Sequence, residues 1–376
     1  MDLRSDTLNR VRVCSACMRG IHQLVAGFSK GDAISNEAIV LRDLFRSWGY
    51  SSEIFAESKR ILPELRGDAL DAQLARDRVG PEDIVLLHLS IGSLVNDLFP
   101  QLPGRKVILY HNITPPGYFR GVQEEVASNL AKGREQARQL AGVADVNLAD
   151  SRYNADELVA MGFSQVEVLP LVLDLEKLER EIDRRQLKAL QDDKTNILFV
   201  GRCVPNKRIE DLLYAFHYYQ QSVDPVSRLI LAGSYAGMES YQAYQLTIIK
   251  DLKLRDVIFT HSIPQPMLNA CYRAADVFVC MSEHEGFCIP VIESMVMGVP
   301  VLAYAAAAVP ETMDGAGVLI HEKRFDWIAE MLHRLVRGQG FRKAVLAGQA
   351  ERVQRYRSLD LEARVRDLLA PLLASA

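Results

Sequence analysis

The chain has 376 residues, 49% of them hydrophobic and 24% charged, with a formal net charge of −4. That length suits about two domains of ~100–200 residues, and the composition is that of a soluble globular protein. The charge argues against a general nucleic-acid binder, six cysteines in a chain this long do not make a disulfide scaffold, and no apolar run is long enough to span a bilayer.

The opening stretch MDLRSDTLNRVRVCSACMRG lacks a continuous apolar segment and is a poor secretory signal, so a cytoplasmic location is expected, with attachment to a membrane face left open. Cys14 and Cys17 form a lone Cys-x-x-Cys with no second matching pair, which favours neither a zinc site nor a redox motif. Residues 21–28 (IHQLVAGF) read as a first strand and 29–36 (SKGDAISN) as a polar, glycine-bearing turn. Residues 37–48 (EAIVLRDLFRSW) carry apolar groups at helical spacing and stop at Gly49. Further strands are expected near 52–55 and at 84–90, 106–111, 145–149 and 166–171, with a largely helical 118–141. This alternation predicts a parallel sheet covered by helices on both faces.

Residues 175–193 are heavily charged and read as a helical or extended connector with a solvated surface, hence a domain boundary. The pattern then restarts, with strands at 196–201, 228–233, 257–261, 277–281 and 299–304 and a helix at 209–219. Helix candidates follow at 327–336 and 341–355, with an amphipathic stretch at 361–373. The expected division is an N-terminal Rossmann-like domain over 1–190, a second over 191–357, and a C-terminal helix at 358–376. Cys203, Cys271, Cys280 and Cys288 read as small buried side chains, Cys288 being the one inside the stretch that matters most.

That stretch is SEHEGFCIPVIESMVMGVP, residues 282–300. It follows the apolar run DVFVCM, so an acid (Glu285), a glycine (Gly286) and a helix bearing a second acid (Glu293) lie at the carboxyl edge of a sheet, where ligands usually bind. The helix start offers free backbone N–H groups to oxygen-rich ligands, and about two turns of spacing would let both acids face one ligand. Upstream, GRCVPNK places Arg202 and Lys207 directly after a strand. A third segment, LYHNITPPGYF, places His111 at a strand end.

Together these segments resemble retaining, nucleotide-sugar-dependent glycosyltransferases of family 4. Glu285 and Glu293, with seven residues between them, match its Glu-x7-Glu signature, and Arg202 and Lys207 match its Gly-Arg-x4-Lys segment. The resemblance implies the GT-B architecture: an α/β fold of two doubly wound Rossmann-like domains facing a central cleft, with the final helix crossing back to the N-terminal domain. It implies that Arg202 and Lys207 neutralise a departing diphosphate, where Arg forks onto phosphate oxygens and Lys acts as a point charge. By the same pattern Glu285, Gly286 and the N–H groups of Phe287 and Cys288 hold the transferred sugar. Glu293 accepts from the donor ribose, and His111 sits in the cleft and orients sugar and acceptor without acting as a nucleophile.

Gly31-Asp32 stands where the family commonly has two glycines. Gly31 still permits close approach to the donor, while Asp32 either faces the acceptor or caps the helix. Asn112 is expected beside the acceptor, and Gly233, Ser234 and Ile263 along the nucleotide pocket. No Asp-x-Asp segment is present, so neither a metal nor a cofactor is expected. The reading is a metal-independent hexosyltransferase of mannose or glucose type. It would act from a nucleoside-diphosphate sugar onto a glycan or lipid-linked acceptor in polysaccharide or glycoconjugate biosynthesis, with self-association left open. The alternatives are a nucleotide-sugar epimerase of the same architecture and a non-catalytic nucleotide- or glycan-binding module. A dehydrogenase is disfavoured because no Gly-x-Gly-x-x-Gly follows the first strand.

Overall fold

The computed structural model describes residues 19–29 and 31–374; Cys14 and Cys17 lie outside them. Two parallel sheets carry the architecture. The first contains β1 (Ile21–Val25), β2 (Ile54–Ala56), β3 (Leu70–Asp71), β4 (Ile84–Leu89), β5 (Arg105–Tyr110), β6 (Val146–Ala149) and β7 (Val166–Val168), in the order β3-β2-β1-β4-β5-β6-β7. The second contains β8 (Thr195–Val200), β9 (Ser227–Ala232), β10 (Val257–Phe259), β11 (Val277–Cys280), β12 (Val301–Tyr304) and β13 (Val318–Ile320), in the order β10-β9-β8-β11-β12-β13. Strand order reverses between β1 and β4 in one sheet and between β8 and β11 in the other. A doubly wound sheet opens a crevice at that point, beyond the carboxyl ends of its strands.

The central strands are apolar because helices cover both faces. All six residues of β4 (IVLLHL) are buried. Alternate residues of β8 feed different cores: Ile197 and Phe199 join one cluster, Leu198 the other. In the N-terminal lobe, helix Ala33–Ser47 and the last helix, Leu361–Leu373, pack on the same face. Leu41, Phe45, Val365, Leu369 and Leu372 meet Ile21, Leu86 and Leu109 there. The C-terminal helix thus lies on the sheet formed by the start of the chain.

Helix Ala33–Ser47 begins where Asp32 accepts a hydrogen bond from the Ser35 N–H, 2.9 Å, and Gly49 follows it at φ +88°. Several boundaries differ from the sequence expectation. The first strand ends at Val25, and Phe28 makes only an isolated bridge to Ile61. The long helix starts at Glu124, because the Pro115-Pro116 turn and the residues after it are not α-helical. β3 and β13, of two and three residues, are too short to leave an alternation in the sequence. The charged connector is less solvated than expected. It forms helices Lys177–Arg180 and Arg184–Leu190, with Leu178 and Leu190 buried in the core of the second lobe.

Candidate functional site

The second lobe builds its half of the crevice from three strand ends. β8 runs into Gly201, at φ +145°, and β9 into Gly233. A Cβ on Gly233 would stand 1.8 Å from the Gly201 carbonyl oxygen, so the two loops approach only because side chains are missing. The Ser234 carbonyl then accepts from the Cys203 N–H at 3.0 Å, and its hydroxyl accepts from the Ala236 N–H at 3.0 Å, fixing the loop that delivers Lys207. Ile263 is a partly buried member of the apolar wall beneath.

From the end of β11 comes Glu285. Lys207 Nζ donates to both of its carboxylate oxygens at 2.5 Å, with side-chain exposures of 20% and 9%. Burial pulls the Lys207 ammonium down, but Glu285 outweighs it and the lysine is held above its ordinary range. Arg202 is different: it is exposed and makes no ion pair among the described residues. The structure therefore joins Lys207 to Glu285 and leaves Arg202 at the rim.

Glu293 is corrected in two ways. Helix Ile289–Val296 begins after Glu285, so helical spacing does not relate the two acids. Its carboxylate is buried and engaged on both oxygens, one by Lys177 Nζ at 2.8 Å and the other by the Tyr272 hydroxyl at 2.8 Å. Between the acids, the Phe287 ring packs on Tyr356 and its carbonyl accepts from the Thr312 hydroxyl. The N–H groups of Phe287 and Cys288 donate to nothing among the described residues. Cys288 precedes the helix at φ +70°, the left-handed region that a glycine would adopt more easily.

In the first lobe, His111 follows β5, but its side chain is only 3% exposed and does not face an open cleft as the sequence reading had it. Its Nε2 lies 2.9 Å from His88 Nδ1 and 3.6 Å from Glu37 Oε2, and its Nδ1 lies 3.6 Å from Asp150 Oδ2. The proton positions follow from the partners. The Gln23 amide donates to the Ala38 carbonyl, so its oxygen faces His88 Nε2, which must carry a hydrogen. Burial holds His88 neutral, well below the usual imidazole range. His88 Nδ1 therefore accepts, and His111 Nε2–H donates. Burial pulls His111 down, yet Asp150 and Glu37 raise it on balance. Glu37 is pushed up to about 7 by burial, and its Oε2 has no hydrogen-bond partner among the described residues.

Asn112 (φ +79°) was expected beside the acceptor; its amide is instead consumed by protein. It donates to Asn154 Oδ1 at 2.8 Å and Glu157 Oε2 at 3.2 Å, and its oxygen accepts from His284 Nε2 at 2.6 Å. His284 belongs to the second lobe, so this contact ties the lobes together. Gly286 lies against the same spot: a Cβ there would stand 2.8 Å from the His111 carbonyl oxygen and 2.9 Å from Asn112 Cβ. Asn154 also reaches the Gly286 carbonyl at 3.3 Å. Asp32 caps its helix and also lines a cavity of about 220 Å³ at the carboxyl ends of β1 and β4, with Ser29, Arg60 and Ser90. Gly31, at φ +78°, opens onto free space.

Sequence reasoning overlooked Glu37, His88, Asp150, Lys177, Tyr272 and His284. Glu37 left a signal: it is an acid in line with Leu41 and Phe45 on the buried stripe of its helix. His284 stands beside Glu285 and could have been flagged by adjacency. The others are brought in by chain segments remote in sequence.

Residues 179–352 match the family model described as "Glycosyl transferases group 1". The D-inositol 3-phosphate glycosyltransferase of Streptomyces bingchenggensis is 30% identical over 58% of this chain and 51% of its own length. The chain spans about half the length, or less, of the curated relatives it matches. Sucrose-phosphate synthase from Thermosynechococcus elongatus superposes with a TM-score of 0.73 at 18% identity, over 95% of this chain and 100% of that one. Anabaena HepE in complex with UDP-glucose superposes at 0.71 with 16% identity, over 94% of this chain and 100% of that one. The fold is GT-B. Among the described residues no helix is long and apolar enough to cross a membrane.

Proposed function

We propose that the chain is a retaining glycosyltransferase that moves a hexose of glucose or mannose type from a nucleoside-diphosphate sugar to a glycan or lipid-linked acceptor. The observation that carries this reading is the Lys207–Glu285 pair at the second lobe's strand ends, closed over by the Gly286 contact with the first lobe. As the glycosidic bond breaks, negative charge builds on the leaving diphosphate. A fixed cation there stabilises the transition state more than the ground state. Lys207 is that cation, and Arg202, unpaired at the rim, is free to fork onto phosphate oxygens.

Glu285 and the unpartnered N–H groups of Phe287 and Cys288 take the hydroxyls of the transferred sugar. Glu293 reads the ribose by exchanging Lys177 or Tyr272 for a vicinal diol. Gly31, Gly233, Ser234 and Ile263 border the donor, and the Asp32 cavity takes the acceptor. His111 acts as a positioning residue that sets the cleft wall through its backbone contact with the Gly286 loop. The leaving phosphate removes the acceptor proton on the face where it departs, so configuration is retained. The side-chain cations do the charge neutralisation that a metal ion would otherwise do. Closure of the lobes excludes water from the donor.

The test is release of nucleoside diphosphate from UDP- and GDP-sugars with an acceptor panel, with product configuration read by NMR. Lys207→Ala and Glu285→Gln should each lower kcat by about 100-fold or more while the fold persists. A well-folded double variant that transfers at the parent rate would sink the assignment. A thermal-shift comparison of UDP with GDP names the base, because the bound nucleotide stabilises the native state by mass action.

A further inference from the structure

The signature loop and the strand before it hold two cysteines whose thiols the transfer chemistry does not use. Cys280 closes β11, and Cys288 sits where the helix starts. Both are buried, and their sulfurs are 3.8 Å apart. Cys280 Sγ, Cys288 Sγ and a Glu285 carboxylate oxygen all lie within 4.8 Å of one another.

The separation, as it stands, fits one of two uses of a thiol pair. A disulfide needs its sulfurs at about 2.05 Å, nearly 2 Å closer than they stand. Two zinc–sulfur bonds of about 2.3 Å at the tetrahedral angle hold their sulfurs about 3.8 Å apart, the distance already present. The charge balance is also favourable. Two thiolates and Glu285 bring three negative charges, and a divalent ion with Lys207 brings three positive ones, so the buried set sums to zero. Lys207 would keep one Glu285 oxygen and orient the other toward the ion, as hydrogen-bonded partners behind metal ligands commonly do.

We propose that Cys280, Cys288 and Glu285 form a binding site for a thiophilic divalent cation of the zinc class, three protein ligands with a fourth position open to water. Binding releases one proton from each thiol to solvent and involves no redox step. Occupancy takes a Glu285 oxygen away from the sugar. On the reading that Glu285 holds the transferred hexose, zinc is therefore an inhibitor of this enzyme, relieved by chelators.

The experiment uses the full chain with Cys14→Ser and Cys17→Ser, so that the Cys-x-x-Cys segment cannot contribute. Cobalt(II) titration should give thiolate-to-metal charge-transfer absorption and the intense visible bands of a tetrahedral ion, saturating at one ion per chain. Cys280→Ser and Cys288→Ser should each abolish the charge-transfer band or weaken cobalt binding by at least about tenfold. X-ray absorption at the zinc edge should count two sulfurs at about 2.3 Å in the parent background, a measurement that stands even if a variant fails to fold. Absence of sulfur from that shell, or bands and cobalt affinity unchanged in both variants, overturns the site. In the transfer assay, zinc should lower turnover of the parent and not of Cys280→Ser. A sulfur-ligated ion without inhibition upholds the site and refutes the sugar-holding role of Glu285. Inhibition without sulfur ligation overturns the site and leaves the transferase reading standing.

Discussion

Replacing Glu37 by Gln removes a charge from a place where burial dominates its titration. Glu37 is 1% exposed on helix Ala33–Ser47; its Oε1 accepts from the Val172 N–H at 3.1 Å, and its Oε2 has no hydrogen-bond partner among the described residues. Burial pushes the carboxyl from 4.5 up to about 7, against the opposing pull of His111 and of the Val172 N–H. The folded state therefore keeps this proton to higher pH than the unfolded chain does. Its contribution to stability is fully present below pH 4.5 and is lost as pH rises toward 7. At about 1.4 kcal/mol per pH unit over that interval, ionising Glu37 costs the native state roughly 3 kcal/mol above pH 7. Gln preserves the shape and the oxygen that accepts from Val172, and it cannot ionise. Urea denaturation at a series of pH values and fixed ionic strength should show the variant gaining on the parent by up to about 3 kcal/mol between pH 4.5 and 7.5. Asp150, raised by burial, and His111, raised on balance by its acidic neighbours, lose stability in the same direction and leave a residual slope in both proteins. Parallel profiles, or a variant that loses ground as pH rises, would show that Glu37 is an ionised partner of His111 and refute the argument.

The Gly286 contact predicts that Gly286→Ala forces the lobes apart. The added methyl meets a backbone carbonyl at 2.8 Å, a neighbour with no flexible end to give way. A loss of about 1–3 kcal/mol is expected, with an increased radius of gyration by small-angle scattering and reduced transfer. Unchanged melting and scattering would mean that the lobes do not meet there in solution. Asp32→Ala should cost about 1 kcal/mol by removing the helix cap, and Asp32→Asn only a few tenths, because Asn caps as well. Equal losses in the two variants would show that the charge of Asp32, rather than its cap, is what the fold uses.

The candidate site was legible where its residues are close in sequence. Lys207 follows a strand within GRCVPNK, and Glu285 follows another within SEHEG, so local pattern was enough to put both at strand ends. Their direct pairing bridges 78 residues and came only with the assembled sheet. Glu293 shows the limit more sharply. Its position was readable from spacing, but its partners Lys177 and Tyr272 arrive from the connector and from another helix, so its engagement was not. Asn112 was likewise placed correctly on its loop and misjudged in its use, because His284 reaches it from the other lobe.

Taken alone, the order of residues determined the two alternating strand–helix series. Runs such as IVLLHL must be covered on both faces, and local periodicity carries that information. It also determined which chemistry the strand ends could offer. Packing decided the rest: the edge strands β3 and β13, the burial of His111 among His88, Glu37 and Asp150, and the contact of the Gly286 loop with the opposite lobe. Each of these depends on segments far apart in the chain meeting at ångström distances, and a side chain's burial, charge state and free valences exist only once those neighbours are present.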